Sequence, residues 1–353
     1  MPKRNAENLR TKRKYLVWMK DARGYSEASI DKAAAAISAY EEFLGGKDFG
    51  AFHAERARAF KRHLASKKNA NGNGSLSLST IGGILREVKA FFLWLADQVG
   101  YKSKITHSDA AYLTPDRKSE NARRGSLWKP HPSPAHIRKL LSFMPVDTVV
   151  QRRDRALIAF LFLTASREGA AITLRLGDVD LVNACVNFDG LRVNTKNGKK
   201  FTTGFFPIGD EVEDIVRHWI KELRSDLMFS DADPLFPKTK VGPGPARGFT
   251  VLGIERAPWA SPSSAAKIFK EAFRSAGMPP FSPHRVRDTI AELAKDFCKT
   301  PEDFKAWSQN MGHEDVLTTF RSYGSVATGR QIELMERFRS GRSDAGEEGE
   351  LIE

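Results

Sequence analysis

Apolar residues recur every three to four positions in long stretches of this 353-residue chain, a spacing that fits an α-helix and not a β-strand. The clearest stretch in the first part runs from Ser26, a candidate N-cap, to Leu44, where two glycines end it. Similar spacing predicts helices at about 51–65 and 79–98. Residues 1–105 are therefore predicted to form a small, basic, all-helical domain whose first clear helix begins at Ser26.

The composition changes after this domain. Residues 106–132 are rich in Pro, Arg, Lys and Ser, show no periodicity, and are predicted to be an extended basic linker. A larger domain is predicted over 133–341, and the acidic stretch 342–353 is predicted to be a disordered tail. The chain is thus expected to contain two folded domains joined by a linker.

The second domain is predicted to be mostly helical with a small β element. Helices are expected at about 134–144, 149–165, 210–224, 263–276, 284–297, 301–309, 314–322 and 329–340. Three β-prone runs, at 184–189, 191–195 and 201–207, interrupt them. Asn197 and Gly198 lie between the last two runs and form a strong hairpin signal.

The charge balance favours a polyanionic partner. Fifty-six Lys and Arg against 43 Asp and Glu leave a net charge of +13, and the isoelectric point is about 9.7. Nucleic acid and an acidic membrane surface both fit this surplus, and charge for solubility alone is the alternative. The longest strongly apolar run, 156–163, is too short to span a membrane, and two cysteines cannot build a disulfide scaffold or a Cys-rich zinc site. We expect a cytoplasmic protein that meets nucleic acid.

Four short islands in the second domain carry reactive side chains in a particular order. An apolar helix ends before Arg167, a hairpin carries lysines, a His-x-x-Arg pair follows at 284–287, Gly-His comes at 312–313, and Tyr323 lies ten residues further on. Together the islands resemble the catalytic domain of the tyrosine recombinases, the phage integrase family, over about residues 133–341. By shape and position alone, the helical first domain is similar to the core-binding domain of that family.

The resemblance implies a fold, an activity and a set of catalytic residues. The fold would be mainly α-helical, with an all-helical core-binding domain and a catalytic domain containing a small β-sheet, the DNA breaking-rejoining enzyme fold. The enzyme would cleave and rejoin DNA through a covalent 3′-phosphotyrosyl intermediate, without a metal or other cofactor. The catalytic residues would be Arg167, Lys196, His284, Arg287, His313 and Tyr323, with Tyr323 as the nucleophile.

Phosphate chemistry explains why these residue types occur together. Attack on a phosphodiester builds negative charge, which planar guanidinium groups such as those of Arg167 and Arg287 stabilise. His284, one helical turn before Arg287, would face the same group, either as a base or as a phosphate ligand. His313 would donate a hydrogen bond to a phosphate oxygen.

The leaving 5′ oxygen needs a proton, which an ammonium on a hairpin can supply. In the family the general acid lies in this hairpin. Lys196, just before the Asn-Gly turn, matches best, and Lys199 and Lys200 are rivals because a register shift of a few residues stays open. One departure from the family concerns Ala170, where many members carry an acidic residue; here Glu168 directly follows Arg167 instead.

The resemblance also implies partners. Double-stranded DNA would be gripped by basic side chains on polar helix faces and on the hairpin, namely Lys61, Arg62, Arg86, Lys89, Lys199 and Lys200, although ordinary solvated charge explains each of them equally well. The family recombines in a tetramer on two DNA sites. An apolar stripe of Ile332, Met335 and Phe338 would dock on a neighbouring subunit or fold back on its own core, and the former is favoured. The protein would be cytoplasmic and nucleoid-associated when bound to DNA.

The favoured function is a site-specific recombinase that integrates or excises a mobile element, because the basic linker and the surroundings of Arg167 differ from compact Xer-type members. A housekeeping Xer-type resolvase is the first alternative. A type IB topoisomerase shares the phosphotyrosine chemistry, but the small helical first domain argues against it. A non-catalytic DNA-binding protein of the same fold would not need the complete catalytic set.

Overall fold

The computed structural model of this chain divides into two units, Met1–Leu127 and Trp128–Glu353. It describes residues 5–69, 74–116, 130–195, 198–244 and 248–313, and further on only 329, 331–333 and 335–336. The helix predicted at 314–322, most of that at 329–340, and the tail at 342–353 lie outside the described residues. No helix in the described ranges is both long enough and apolar enough to cross a membrane.

In its described part the first unit is helical apart from one isolated β-bridge between Lys68 and Ser75. Its helices are α1 (Ala6–Asp21), α2 (Glu27–Leu44), α3 (Ala54–Ser66), α4 (Leu78–Ala96) and α5 (His107–Ala111). The buried faces of these helices meet in a core rich in aromatic rings. Phe92 lies at its centre, stacked on Phe52 at 3.8 Å and edge-on to Tyr40 at 5.0 Å between ring centroids.

Helix α1 lies before the first helix that the sequence predicts. Its buried face carries two polar residues, Asn8 and Thr11, so the apolar spacing is interrupted. The Asn8 side chain donates to the Lys47 carbonyl at 2.9 Å and accepts from the Phe49 amide at 3.0 Å. Because these bonds satisfy a buried amide, a polar side chain takes a core position that the pattern alone assigns to apolar residues.

The first unit also extends into the segment predicted as a linker. Helix α5 lies inside residues 106–132, and Ala110 within it and Leu113 just after its end are fully buried. The Thr106 side chain caps α5 by accepting from the Asp109 amide at 3.1 Å. An extended linker is therefore wrong for the beginning of this segment, because two apolar side chains and a cap suffice to fold a short helix onto the core. Residues 117–129 lie outside the described part.

The second unit is built around a buried helix. Its helices are α6 (Pro134–Phe143), α7 (Val149–Thr164), α8 (Glu168–Ala171), α9 (Asp210–Lys221), α10 (Ser263–Ser275), α11 (His284–Phe297) and α12 (Pro301–Asn310). Residues 156–163 of α7 are buried all round, which accounts for the longest apolar run of the sequence. Helix α7 ends next to the candidate site, so the core fixes the position of the residues that follow it.

A small antiparallel sheet contains the hairpin region. Its strands are β1 (Val179–Asp180), β2 (Cys185–Phe188) and β3 (Phe201–Gly204), in the order β1-β2-β3. The strand predicted at 191–195 is wrong, because the Asp189 carbonyl accepts from the amides of Arg192 and Val193 at 2.9 and 2.8 Å and turns the chain. The hairpin therefore joins β2 to β3 through a long loop and is not a tight two-residue turn between adjacent strands.

The sequence does not predict the second hairpin, formed by β4 (Lys238–Pro243) and β5 (Phe249–Glu255). Glycine and proline within it weaken the strand pattern. A buried arginine anchors its base. Arg153 donates to the Pro237 carbonyl at 2.8 Å and to the Thr239 hydroxyl at 3.1 Å, and its guanidinium lies 4.9 Å from the Trp259 ring centre.

Replacing Phe92 by Ala tests the aromatic core of the first unit. Because Phe92 is fully buried between two other rings, we expect the free energy of unfolding of this unit to fall by about 3–5 kcal/mol. Hydrogen exchange of the α2 and α4 amides measures this locally. As a control, Val99→Ala removes a 93% exposed side chain and should change the value by less than about 0.5 kcal/mol. Equal effects of the two variants would show that Phe92 does not hold the core.

Candidate active site

Arg287 connects three separate segments of the second unit. It lies on α11 and is only 5% exposed. Its Nη1 donates to the Ala165 carbonyl after α7, and its Nη2 donates to the Met311 carbonyl at 2.7 Å and to His313 Nε2 at 2.9 Å. Burial, and then the charge of Arg167, lower the pKa of Arg287 to about 9, so the group is still a cation at neutral pH. The structure thus buries a positive charge at the junction of these segments.

The segment between α7 and α8 presents Arg167. Ala165 ends α7 in the left-handed conformation with φ of 47°, which a residue with a Cβ rarely adopts, and its carbonyl then points at Arg287. Thr164 stabilises the turn because its hydroxyl bonds the buried Ser166 at 2.9 Å. Arg167 follows as a half-buried residue that lines the same cleft as Arg287 and Met311. A strained backbone position at such a cleft is typical of a functional site.

His313 is a neutral imidazole at physiological pH. Burial first, and then the charges of Arg287 and Arg167, lower its pKa to about 4. A guanidinium has only donors, so Nε2 of His313 must accept the bond from Arg287 and the ring proton must lie on Nδ1. His313 therefore has one hydrogen-bond donor, and Nδ1 carries it.

His284 opens α11 one turn before Arg287 and stays accessible to solvent. The protein around the ring removes part of its hydration and lowers its pKa, and the charges of Arg287 and Arg285 act in the same direction. Asp288 and Glu168 oppose this shift. His284 is therefore neutral at physiological pH and accessible, which is the state in which an imidazole can accept a proton or a hydrogen bond.

The β2–β3 loop carries the lysines. Lys196 and Asn197 lie outside the described residues, but hydrogen bonds join the residue before them to the residues after them. The Gly198 amide donates to the Thr195 carbonyl at 3.3 Å, and the Thr195 hydroxyl donates to the Lys199 carbonyl at 2.8 Å. A Cβ on Gly190 would lie 1.8 Å from the Gly198 carbonyl oxygen, so the two limbs of the loop cross where only glycine fits.

The structure brings several predicted residues together. The charges of Arg287, Arg167 and Lys199 act on His313, and His284 would act in the same direction when protonated, whereas Lys200 is exposed. Tyr323 and Lys196 lie outside the described residues, and so does Phe338 of the apolar stripe. The other two members of that stripe, Ile332 and Met335, are 54% and 46% exposed.

The unusual surroundings of Arg167 have a physical explanation. Ala170 is 4% exposed, so a carboxylate at this position would be buried. Glu168 instead supplies negative charge to the cluster, because it acts on both Arg287 and His284. Sequence reasoning missed the backbone carbonyls of Ala165 and Met311, since a carbonyl has no signature in the side-chain sequence. In the described ranges no group of His, Cys, Asp and Glu is arranged to hold a metal ion.

The predicted DNA-contacting residues of the first unit lie on α3 and α4. Lys61 donates to the Thr114 carbonyl at 2.6 Å, and Lys89 donates to the Thr114 hydroxyl at 2.8 Å, so the two ammonium groups meet at one residue. Arg62 and Arg86 are exposed. Their contact with DNA stays a prediction.

A mainly helical domain with a small sheet, in which two arginines line one cleft and two histidines interact with them, is the catalytic fold of a tyrosine recombinase. The sequence model of the phage integrase family matches residues 133–330, which is more than half of the chain, and the chain therefore belongs to this family. The predicted family and fold class are confirmed. Tyrosine recombinases break and rejoin DNA strands.

Among similar proteins is the tyrosine recombinase XerD of Neisseria meningitidis serogroup B, which is 28% identical over 184 residues. These residues are 52% of this chain and 54% of the relative, so the chain spans about half the length of the curated relative that it matches. Two solved structures share the fold. A lambda integrase dimer bound to a COC′ core site has a TM-score of 0.63 at 12% identity, over 89% of this chain and 94% of that one. A lambda integrase tetramer bound to a Holliday junction has a TM-score of 0.60 at 13% identity, over 88% and 79%.

The lowered pKa of His313 predicts how stability depends on pH. The unfolded imidazole takes up a proton below about pH 6.5, whereas the folded one stays neutral until about pH 4, so the free energy of unfolding falls as the pH decreases between these values. His313→Gln keeps an acceptor for Arg287 and removes the titration. Urea unfolding at pH 7 and pH 5 should show that the variant loses about 1–2 kcal/mol less than the parent chain. Equal losses in the two proteins would contradict the buried, neutral imidazole.

Proposed function

We propose that this protein is a site-specific DNA recombinase that cleaves and rejoins strands through a 3′-phosphotyrosyl intermediate. One observation carries the proposal: Arg287 is buried and bonded to His313 in a cleft that Arg167 also lines. These residues coincide with the family's motif positions, and their chemistry fits an anionic phosphate. Tyr323 is the proposed nucleophile on the strength of the motif.

The cluster is suited to a pentacoordinate phosphate. Arg287 contributes charge from a desolvated position, where electrostatic stabilisation is stronger than in water. Arg167 makes no side-chain hydrogen bond within the part of the chain that the structure describes, so its planar fork of donors can turn to phosphate oxygens. His313 is the third proposed phosphate ligand, on the strength of its motif position. Because Arg287 is fixed by backbone carbonyls, this charge needs little reorganisation as negative charge builds up on the phosphate.

The proposed cleavage step exchanges one bond between phosphorus and oxygen for another. The phenolic oxygen of Tyr323 forms a bond to phosphorus, and the bond from phosphorus to the 5′ oxygen breaks. The phenolic proton passes to neutral His284, and a lysine of the β2–β3 loop protonates the departing 5′ oxygen. Rejoining reverses the step with another 5′ hydroxyl, and the energy of the broken linkage stays in the phosphotyrosyl bond.

The other tyrosines support this choice of nucleophile. All five lie in the first unit, and none belongs to the motif of the second. Tyr15, Tyr40 and Tyr101 are buried, which raises the pKa of each phenol, that of Tyr15 to about 12. A raised pKa disfavours the phenolate that would attack phosphorus. Tyr112 is exposed and its ring lies 4.6 Å from the Arg58 guanidinium.

The partners follow from the same proposal. The substrate is double-stranded DNA, contacted in part by Lys61, Arg62, Arg86 and Lys89. Assembly into a tetramer on two DNA sites is supported by the exposure of Ile332 and Met335 and by the tetramer that lambda integrase forms on a Holliday junction. The recombinase would act in the cytoplasm, on the nucleoid.

Two biological roles are distinguished by the DNA that is cleaved. Integration or excision of a mobile element is the favoured role, because of the basic segment 106–132 and the Ala170 position. The likeness to XerD favours resolution of chromosome dimers as the second. Sequencing of the captured DNA and of its genomic neighbourhood separates them, since a mobile element is flanked by direct repeats and its integrase gene lies next to one of them.

Covalent capture tests the nucleophile. The chain is incubated with nicked suicide duplexes of random sequence, and adducts that survive denaturation are recovered, sequenced and resynthesised as a defined substrate. We expect adducts with the parent chain and none with Tyr323→Phe, because only the phenol can form the phosphotyrosyl bond. Gel-shift binding of the defined duplex should be unchanged in the variant.

A matched control is Tyr112→Phe, which removes the hydroxyl of an exposed tyrosine in the first unit and should leave capture intact. Adducts that persist in Tyr323→Phe would move the nucleophile elsewhere. The absence of adducts with the parent chain, while it still binds DNA, would overturn the proposed reaction.

The general acid is tested with a substrate whose bridging 5′ oxygen is replaced by sulfur. A thiolate leaves without a proton because its conjugate acid has a pKa of only about 8.5. We expect Lys196→Ala to lose about 10²- to 10⁴-fold in cleavage of the ordinary substrate and to recover with the sulfur substrate, whereas Lys200→Ala stays near the parent rate.

Lys199 is the rival candidate with a structural argument, since its charge acts on His313. If the sulfur substrate rescues Lys199→Ala and no other lysine variant, the general acid is Lys199, three residues further along the loop. If no lysine variant is rescued, the acid does not come from this loop.

A further inference from the structure

Two chain segments carry residues of the proposed chemistry. One is the β2–β3 loop with its lysines, called the lysine loop below, and the other is the turn after α12. The lysine loop runs into β3, and the turn 311–313 after α12 carries His313. Asn310, the last residue of α12, connects them. Its Nδ2 donates to the Gly204 carbonyl at 2.9 Å, and its Oδ1 accepts from the Gly204 amide at 2.7 Å. The Thr203 hydroxyl in turn donates to the Asn310 carbonyl at 2.9 Å.

Asn310 bonds the outer edge of β3 as a neighbouring strand would. β3 is the last strand in the order β1-β2-β3, so its outer backbone groups have no strand to pair with. A buried backbone donor and acceptor without partners would cost free energy. The planar amide of Asn310 offers one donor and one acceptor side by side, as a neighbouring peptide would, and pairs with both groups of Gly204. A carboxylate at this position could accept but not donate.

A second contact fixes the same two segments one step further along. Gly312 has φ of 67°, and a Cβ on it would lie 3.0 Å from the Phe201 ring, so the turn approaches the start of β3 as closely as glycine allows. Phe201 is held in turn by stacking on Phe188 at 4.6 Å between ring centres. Both ends of β3 are therefore held against the turn, and the same turn is bonded to Arg287 through the Met311 carbonyl.

We infer that Asn310 is a positioning residue, which sets the distance between the lysine loop and the phosphate held by Arg287 and His313. The inference rests on the proposed function, because it assumes that a lysine of this loop protonates the leaving oxygen. Both ends of the Asn310 side-chain amide are bonded to Gly204, so we do not assign it a contact with the phosphate. Its loss would release the Gly204 end of β3, whereas the turn 311–313 keeps its own bonds from Arg287. We therefore expect protonation of the 5′ oxygen to be impaired more than DNA binding and phenol attack.

The test compares two substrates in single-turnover cleavage, the captured duplex and the same duplex with sulfur at the bridging 5′ position. Asn310→Ala should cleave the ordinary substrate about 10- to 100-fold more slowly than the parent chain, because the acid is displaced but still present. With the sulfur substrate it should come within about threefold of the parent rate, because that leaving group needs no proton. Asn310→Asp, which keeps the shape and one hydrogen bond, should show the same pattern and serves if the alanine variant does not fold.

Thr300→Ala is the matched control. Thr300 caps the other end of α12 by accepting from the Asp303 amide at 3.1 Å, so its loss loosens the same helix without breaking the link to β3. We expect it to change cleavage of both substrates by the same factor.

The outcomes separate the inference from the function on which it rests. If the Asn310 variants slow both substrates equally, or slow neither, Asn310 does not position the acid and the inference is overturned. If the parent chain forms no covalent adduct with either substrate, the proposed function itself fails.

Discussion

The second unit depends on one buried guanidinium. Taking the charge of Arg287 out of water is costly, and the cost is offset only because its donors reach two backbone carbonyls and an imidazole. Those acceptors lie after α7 and after α12, so the same bonds that satisfy the charge also fix two turns. The position of the segment that carries Arg167 and the tautomer of His313 follow from that arrangement.

The spacing of apolar residues in the sequence predicts much of the fold. The predicted helices at 134–144, 149–165 and 284–297 correspond to α6, α7 and α11 within a residue or so, because apolar residues recur at helical spacing on their buried faces. Apolar spacing failed to predict two elements in which buried positions are occupied by polar side chains. Helix α1 buries an asparagine that is satisfied by backbone of another segment, and the β4–β5 hairpin is anchored by the buried Arg153.

The site residues were predicted from a family motif and not from apolar spacing. The arginines and histidines of the site are identifiable because a family motif fixes their order. In the structure Arg167 and Arg287 line one cleft, and both of them and His284 lie within electrostatic reach of His313. The groups that hold them are not identifiable from the sequence. Carbonyl oxygens of Ala165 and Met311 have no residue signature, and Asn310 resembles any polar residue at a helix end until its two bonds to Gly204 are seen. Distance in space, not residue type, distinguishes these roles.

The partners of Arg287 are far apart along the chain, at 122 residues on one side and 24 on the other. During synthesis the amino-terminal helices emerge first, and the acceptor supplied by residue 311 emerges late. A nascent polypeptide of this kind has its basic helices long before it has an assembled cation cluster. A polypeptide that ends before residue 311 lacks two of the three acceptors of Arg287, so the cation cluster cannot assemble until residues 311–313 have been synthesised.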